Sequence, residues 1–319
     1  MTYQPKTYRD KGGDRIVVAN GGQILIETGG ALVAPNPSGA QDYFVDGNVS
    51  ASGTGLTWAT AFKTLSEAIL ASNTSIALSD NRWWARRNRI FACGDMELDE
   101  DLTVLPEKCD VIGVGTDLWP YPRFIGNHTI AAATPGVRFI NMGFVDEAGD
   151  SDVFTIPAGC HGLSFIGCHF WPKGDAGNTS KGLTITDCVG VRIVDCQFDL
   201  QNGNATHIFA TAINMAGSTF MYDLLIENCH ITATIGIAIA DGNLLGSLIR
   251  NNVIRATGLT IDDNSDECQI IDNRLISDGA SDTSAACATF DFNLLLAVGN
   301  RITASDDYNA CLPVEGVLD

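Results

Sequence analysis

The sequence predicts an all-β solenoid, a fold in which one structural unit repeats along the chain. A short motif recurs seven times between residues 138 and 302, and the segments between its copies lack the apolar spacing of helices. The motif is an apolar residue, any residue, Asn, Asp or Gly, then Met, Cys or Asn, any residue and an apolar residue. Its copies are RFINMGF, SFIGCHF, RIVDCQF, LIENCHI, LIRNNVI, QIIDNRL and LAVGNRI.

The third position of the motif predicts a bend in the chain. Asn, Asp and Gly are the residue types that most readily adopt left-handed backbone, and β-forming residues flank them on both sides. The predicted bend residues are Asn141, Gly167, Asp195, Asn228, Asn251, Asp272 and Gly299.

The fourth position predicts a column of stacked side chains inside the solenoid. Cysteine is small and readily buried, and an asparagine amide can hydrogen-bond along such a stack. His169 and His230 each follow a column cysteine and are expected to point the other way, so these Cys-His pairs do not predict a zinc site. The column consists of Met142, Cys168, Cys196, Cys229, Asn252, Asn273 and Asn300.

The copies are irregularly spaced, with steps of 26, 28, 33, 23, 21 and 27 residues from Met142 to Asn300. Strands of about four residues, separated by turns rich in Gly, Asn and Asp, fit one motif per coil of a β-solenoid. The extra residues of the longer steps are then expected in loops.

Together with the upstream segment 43–69, these motifs resemble the right-handed parallel β-helix, or pectin-lyase-like, family over residues 43–304. The resemblance implies an amphipathic helix over residues 57–71 that caps the first coil. Its apolar side would be formed by Trp58, Ala61, Phe62, Leu65 and Ile69. The family includes polysaccharide lyases and hydrolases as well as virion proteins of tailed phages, so the fold alone does not define the function.

Residues 1–42 are predicted to form an N-terminal arm and linker ahead of the β-helix domain, residues 43–319. Within the arm, Gly-Gly pairs eight residues apart are each followed by β-forming residues. This segment is either an extra strand or two that close the solenoid, or an arm that contacts copies of itself or a larger assembly. It also resembles the N-termini of phage head-decoration and head-fibre proteins. Its apolar contact residues would be Ile16, Val18, Ile24, Ile26 and Leu32.

Charge and cysteine content narrow the choice of partners and compartment. The chain carries 38 acidic and 19 basic residues, a net charge of −19, which disfavours nucleic acids and anionic membranes. Residues 1–15 lack the apolar run of a signal peptide, so the ten cysteines are expected as free thiols made in a reducing cytosol. The basic cluster with Arg82, Arg86 and Arg87 is either a docking patch for an acidic partner surface or a neighbouring subunit, or a solvated loop.

Catalytic chemistry finds little support in the sequence. Carboxylates that could act in pairs on neighbouring coils are Asp195, Asp199, Asp241, Asp262, Asp263 and Asp272, and arginines that could act as a lyase base are Arg192 and Arg250. The polygalacturonase motifs Asn-Thr-Asp, Gly-His-Gly and Arg-Ile-Lys are missing. We therefore predict no catalytic residue, no cofactor and no metal, although calcium in the acidic turns 46–55 and 262–267 stays open.

Sugar binding without catalysis is a separate alternative, because aromatic side chains stack on the apolar faces of sugars. The candidates are Trp83, Trp84, Trp119, Tyr121 and Trp171.

The sequence thus leads to the expectation of a non-enzymatic structural protein of a tailed-phage virion, made in the host cytoplasm. It would be a capsid decoration protein or short spike, a homotrimer attached through its N-terminal region to the major capsid protein or another virion protein. The first alternative is a tailspike that binds or cleaves host surface polysaccharide, and the second is a free polysaccharide lyase or hydrolase.

Overall fold

The computed structural model divides the chain into two compact units, Met1–Gly39 and Ala40–Asp319. The sequence places this boundary three residues later, after residue 42. The structure describes residues 7–9, 16–18, 40–77, 86–115, 122–146, 151–172, 179–199, 208–217, 221–242, 244–257, 261–265, 268–277, 296–298 and 301–304.

The N-terminal unit contains one antiparallel pair of strands, β1 (Thr7–Arg9) and β2 (Ile16–Val18). Ile16 pairs with Arg9 and Val18 pairs with Thr7. The second part of the predicted arm, with Ile24, Ile26 and Leu32, lies outside the described residues.

The second unit consists of short strands, one 3-10 turn (Trp58–Thr60) and one helix, α1 (Leu65–Ala77). In chain order the strands are β3 (Asp42–Val45), β4 (Asn88–Cys93), β5 (Glu97–Asp99), β6 (Cys109–Val114), β7 (Arg123–Ile125), β8 (His128–Thr129), β9 (Arg138–Ile140), β10 (Gly143–Val145), β11 (Phe154–Ile156), β12 (Ser164–Ile166), β13 (His169–Trp171), β14 (Lys181–Thr186), β15 (Arg192–Val194), β16 (Gln197–Phe198), β17 (Phe209–Ala216), β18 (Met221–Tyr222), β19 (Leu225–Glu227), β20 (His230–Gly242), β21 (Leu244–Leu245), β22 (Ser247–Arg250), β23 (Val253–Ala256), β24 (Ile261–Ser265), β25 (Cys268–Ile271), β26 (Arg274–Ser277), β27 (Leu296–Val298) and β28 (Arg301–Ala304).

Most strands form three parallel faces, to which successive coils contribute in turn, and β18 pairs with β21 in a separate two-stranded sheet. The first face is the ten-stranded sheet β3-β4-β6-β9-β12-β15-β19-β22-β25-β27. The second face runs from β5 through β7, β10, β13, β16, β20, β23 and β26 to β28, and the third from β8 through β11, β14, β17 and β20 to β24. The long strand β20 belongs to both of these faces and joins them. This stacking confirms the predicted parallel β-helix.

The interior is filled by apolar residues that alternate with outward-facing ones along each strand. In one coil, Phe139, Phe144 and Phe154 come from the three faces and meet with ring centroids 4.9–5.7 Å apart. The next coil continues the stack, since Phe139 lies 5.3 Å from Phe165 with an interplanar angle of 13°. Such pairs add about 0.5–1.5 kcal/mol each beyond the burial of their area.

A second column of bends lies before the first face, at positions outside the seven-residue motif. Left-handed backbone recurs once per coil here, at Lys108, Gly136, Gly162, Gly190, Asp223 and Gly246. Backbone hydrogen bonds connect these turns from coil to coil, as from the Gly136 N–H to the His161 carbonyl at 2.7 Å. The sequence signal was partial, because a Gly or Asp lies at this bend before five of the ten strands in this face.

The capping helix is shorter at its start than predicted and extends further at its end. Thr64 and Glu67 form a capping box, in which each side chain accepts the other's backbone N–H, so α1 begins at Leu65 rather than at residue 57. Residues before it pair with β3 instead: Phe62 donates to the Phe44 carbonyl at 2.9 Å. Leu65 and Ile69 are buried as predicted, whereas Trp58 lies in the 3-10 turn and is 41% exposed.

Candidate functional site

Left-handed backbone is present at all six described positions of the predicted bend column, whose seventh member, Gly299, lies outside the described residues. The φ angles fall between 54° and 60° at Asn141, Gly167, Asp195, Asn228, Asn251 and Asp272. Two aspartates that were candidates for catalysis, Asp195 and Asp272, therefore have a conformational role at the corner between the first and second faces.

The predicted interior column is buried at each described position, and its cysteines bond from coil to coil. The thiols of Cys168, Cys196 and Cys229 donate to the carbonyls of the preceding coil, each at 3.4 Å. The accepting carbonyls belong to Phe139, Phe165 and Ile193. Burial first, and then contact with the neighbouring thiols, raises the pKa of Cys196 well above its ordinary value.

Two asparagines continue this column with the same geometry. The side-chain amides of Asn252 and Asn273 donate at 3.0 Å to the carbonyls of Ile226 and Ile249 in the preceding coil. Each asparagine also uses its Oδ1 to accept the backbone N–H one coil earlier, as from Cys229 to Asn252 at 2.8 Å. The last predicted member, Asn300, lies outside the described residues.

The other catalytic candidates do not assemble into a site within the described residues. Arg250 forms an ion pair with Glu227 at 2.8 Å, and Arg192 is exposed on β15. Asp199 is half-buried at the end of β16. The side chains of Asp241, Asp262 and Asp263, on β20 and β24, are not among the described ones.

His169 and Trp171 lie together on the outer side of the second face. Their ring centroids are 3.7 Å apart, and the indole covers Gly143, where an added Cβ would lie 2.7 Å from it. Burial lowers the pKa of His169 to about 4, and the charge of Asp199 opposes this shift only in part. Trp171 is only 8% exposed, so it offers little surface for a sugar. The other predicted stacking residues, Trp83, Trp84, Trp119 and Tyr121, lie outside the described residues.

His230 follows Cys229 as His169 follows Cys168, and it is exposed on the outer side of β20. Both imidazoles thus point away from the interior column.

Arginines of the predicted basic cluster bond within the chain. Arg86 donates to the Ser75 carbonyl near the end of α1 at 2.7 Å, and Arg87 pairs with Asp110 at 2.6 Å. Asp110 also accepts the Nε–H of Arg138, one coil further along the first face, at 2.7 Å. Arg82 lies outside the described residues. Whether this region also docks on a partner stays a prediction.

Another ion pair lies on the outer side of the first face, where Arg89 on β4 binds Asp42 on β3 through two hydrogen bonds of 2.8 Å. The hydrogen bonds to their aspartates raise the pKa values of Arg89 and Arg138. These pairs join residues 47 and 28 positions apart, and no local motif marks them in the sequence.

An aromatic cluster of Phe44, Trp58 and Phe91 lies on the first coil, and together with Leu56, two residues before Trp58 in the chain, we call it the N-terminal aromatic patch. Phe44 packs edge-on against Trp58 at 4.9 Å and stacks on Phe91 at 5.5 Å. The guanidinium of Arg89 lies 5.5 Å above the Phe91 ring. Leu56 is 50% exposed and Trp58 is 41% exposed, which leaves apolar surface for a contact.

Within the described residues, no three His, Cys, Asp or Glu side chains converge as metal ligands would. No helix in that part of the chain is long and apolar enough to cross a membrane.

The fold therefore defines a parallel β-helix protein. No protein-family model and no curated protein matches the chain. Among solved structures it is similar to pectate lyase Pel9A, at 12% identity over 84% of this chain and 79% of the lyase, with a TM-score of 0.43. It is also similar to a pectin methylesterase from Aspergillus niger, at 11% identity over 87% of this chain and 89% of the esterase, with a TM-score of 0.36. Such distant similarity carries no activity over to this chain.

Proposed function

We propose that the protein is a non-enzymatic structural component of a tailed-phage particle, a capsid decoration protein or short spike. The observation that carries the proposal is the division into a small, Gly-Gly-rich N-terminal unit and a long parallel solenoid. The N-terminal unit is suited to attachment, and the solenoid is suited to serve as a rigid body. The major capsid protein or another virion protein is the proposed partner, and the proposed assembly is a homotrimer.

The roles of the polar residues support a structural protein. Asp195 and Asp272 hold bends, Asp110 pairs with two arginines, and Arg250 pairs with Glu227. These side chains stabilise the coils, which is the use expected in a protein whose task is mechanical.

The N-terminal aromatic patch is the second element of the proposed attachment. The patch lies on the first coil, which follows the N-terminal unit directly in the chain. The patch and the N-terminal unit are therefore close in sequence. Exposed tryptophan is enriched in the cores of protein interfaces, where it supplies large contact area. The proposed occupant is the virion protein to which the arm attaches.

Immunogold electron microscopy of particles that carry the protein tests this assignment directly. Label on heads or tails is the expected result, and label on neither would contradict the proposal. Deletion of residues 1–39 is expected to abolish attachment while the β-helix keeps its circular dichroism spectrum. Retained attachment of that variant would show that the arm is not the anchor.

A matched pair of substitutions tests the patch. Trp58→Ser is expected to weaken binding to particles about tenfold or more, because interface tryptophans commonly contribute over 1.4 kcal/mol. Val114→Ser changes a similarly exposed residue, 44% exposed on β6, and is expected to bind as wild type. Analytical ultracentrifugation measures the assembly state. A monomer that trims host surface polysaccharide would replace this proposal by the tailspike or enzyme alternative.

A further inference from the structure

Cys160 and Cys188 lie one above the other in successive turns that lead from the third face to the first. Backbone hydrogen bonds hold these turns in register, from Gly159 to the Asp187 carbonyl at 3.3 Å and from Gly162 to the Val189 carbonyl at 2.7 Å. The two thiols are hydrogen-bonded to each other. This pair is separate from the interior column and lies two residues before the left-handed bends at Gly162 and Gly190.

The surroundings make the two sulfurs chemically different. Cys160 accepts the backbone N–H of Thr134 at 3.4 Å, so its sulfur lies among donors. Cys188 has a single proton and faces acceptors instead: the Cys160 sulfur and the carbonyls of Pro157 at 3.4 Å and Thr186 at 3.2 Å. A sulfur that receives hydrogen bonds is stabilised as thiolate, whereas a thiol that donates them retains its proton.

The pKa values follow this asymmetry. The hydrogen bond from Cys188 lowers the pKa of Cys160, although burial opposes the shift. The same bond, together with burial, raises the pKa of Cys188. Cys160 is therefore the sulfur of the pair that loses its proton more readily, next to a thiol that can resolve its oxidised form.

Stacked positions of successive coils are about 4.8 Å apart, which is within the roughly 4.4–6.8 Å separation of Cα atoms in disulfides. Both side chains are buried, but residues beside Cys160 in the turn, Ala158, His161 and Gly162, are exposed. A small oxidant thus has a short path to the pair.

We propose that Cys160 and Cys188 are a redox-active pair that closes into a disulfide between two successive coils when the protein meets hydrogen peroxide. The Cys160 thiolate attacks one peroxide oxygen, the O–O bond breaks, and a sulfenic acid and hydroxide form. The Cys188 sulfur then attacks the Cys160 sulfur, the S–O bond breaks, and the S–S bond forms. The two sulfurs supply two electrons and, with the two thiol protons, the peroxide becomes two molecules of water.

The interior column provides an internal comparison, because its cysteines are also stacked and in contact. There the thiols donate to carbonyls, and Cys196 is held protonated by the hydrophobic core. Disulfide formation is therefore assigned to the pair at the turn and not to Cys168, Cys196 or Cys229. The inference does not depend on the proposed function.

The test uses the full chain, reduced, freed of reductant and treated with a small excess of hydrogen peroxide at pH 7.5. Free thiols are then alkylated in denaturant, and the digested protein is mapped by mass spectrometry. The expected result is one dominant cross-link, between the peptides of Cys160 and Cys188, and a midpoint of thermal unfolding several degrees above that of the reduced protein. A dominant cross-link within the interior column, or an unmodified Cys160, would overturn the proposal.

Variants and pH sharpen the assignment. Cys188→Ser is expected to lose the cross-link and to accumulate a Cys160 sulfenic acid that dimedone traps, whereas Cys196→Ser is expected to cross-link as wild type. Because the pKa of Cys160 is lowered, the rate is expected to rise less steeply between pH 6 and pH 8 than the roughly hundredfold of an ordinary thiol. A hundredfold rise would contradict an activated Cys160.

Discussion

The side-chain amide of Asn252 donates to the Oδ1 of Asn273 across 2.9 Å, which joins two successive coils inside the solenoid. The same amide also binds the Ile226 carbonyl, and the Oδ1 of Asn252 accepts the Cys229 N–H. Asparagine thus serves both a donor and an acceptor of the buried backbone. Cysteine, at the equivalent place in earlier coils, donates to the corresponding carbonyl.

Asn252→Ala is expected to lower the free energy of unfolding by about 2–4 kcal/mol, because it leaves the Cys229 N–H and the Ile226 carbonyl buried without these partners. Asn252→Cys is expected to cost about half as much, since a thiol can donate to the carbonyl as Cys229 does to Ile193. Urea unfolding followed by circular dichroism measures both. Equal losses for the two variants would show that the hydrogen bonds of the column contribute little.

The bend column can be tested at Asp272, an exposed residue with a φ of 55°. Asp272→Val is expected to destabilise the protein by about 1–2 kcal/mol, because a β-branched residue is strained in left-handed backbone. Asp272→Gly is expected to change stability by less than about 1 kcal/mol, because glycine adopts this conformation without strain.

Gln269→Val, on the neighbouring strand β25 and also exposed, is the control for the loss of a polar surface group. Thermal unfolding of the three variants is the measurement. If Asp272→Gly were as damaging as Asp272→Val, the aspartate would have a role beyond the shape of the backbone.

The prediction from sequence succeeded where one backbone conformation restricts the residue type. Left-handed backbone at Asn141, Asp195 and their equivalents admits few residues, so the column is visible in every copy of the motif. The β-forming residues on either side of each bend likewise predict the flanking strands. A parallel β-helix repeats this restriction in each coil, and the repetition identified the fold.

The sequence was less informative where tertiary contacts decide the outcome. The Thr64–Glu67 capping box that starts α1 is a local signal, but the conformation of the residues before it is not, because Phe62 pairs with β3, nearly 20 residues earlier. The partners Asp42 and Arg89 meet only because one coil separates them. Burial of Trp171 likewise results from packing around the second face, which local spacing does not encode.

His128 gives the protein a sensitivity to acid. Its ring lies in the core, with Nδ1 accepting the Leu102 N–H at 3.1 Å and its centroid 4.6 Å from that of Phe154. Burial lowers its pKa to about 4. Because the unfolded chain takes up this proton near pH 6.5, the contribution to stability is complete above that pH and is lost as pH falls towards 4, by up to about 3 kcal/mol.

His128→Asn keeps an acceptor for the Leu102 N–H but no longer titrates in this range. The variant is expected to show a flatter decline of unfolding free energy between pH 7 and pH 4, whatever its stability at pH 8. His161→Asn, at an exposed histidine whose Nδ1 likewise accepts a backbone N–H, is the control for the substitution itself. An unchanged slope in His128→Asn would mean that other groups dominate the acid response.

The ion pairs of the first face differ in their burial, which predicts different contributions to stability. Asp110→Asn is expected to cost about 1–2 kcal/mol, because Asp110 is only 11% exposed and binds both Arg87 and Arg138. Asp42→Asn, in a pair exposed to solvent, is expected to cost less than about 1 kcal/mol. Thermal unfolding at low salt and at 1 M salt measures the loss of stability in each variant. A larger loss for Asp42→Asn than for Asp110→Asn would contradict the prediction.

Because the bend recurs at the same position in successive coils, the solenoid consists of equivalent units along its axis. Excision of residues 168–195 would join Gly167 to Cys196, so that a bend is still followed by a column cysteine. Phe144 would then face Phe198 in place of Phe170, with the same kind of side chain in the interior. The number of motif copies therefore sets the length of the protein in increments of about 4.8 Å. Duplication or loss of a single copy offers a route by which related chains acquire different reach without a new fold.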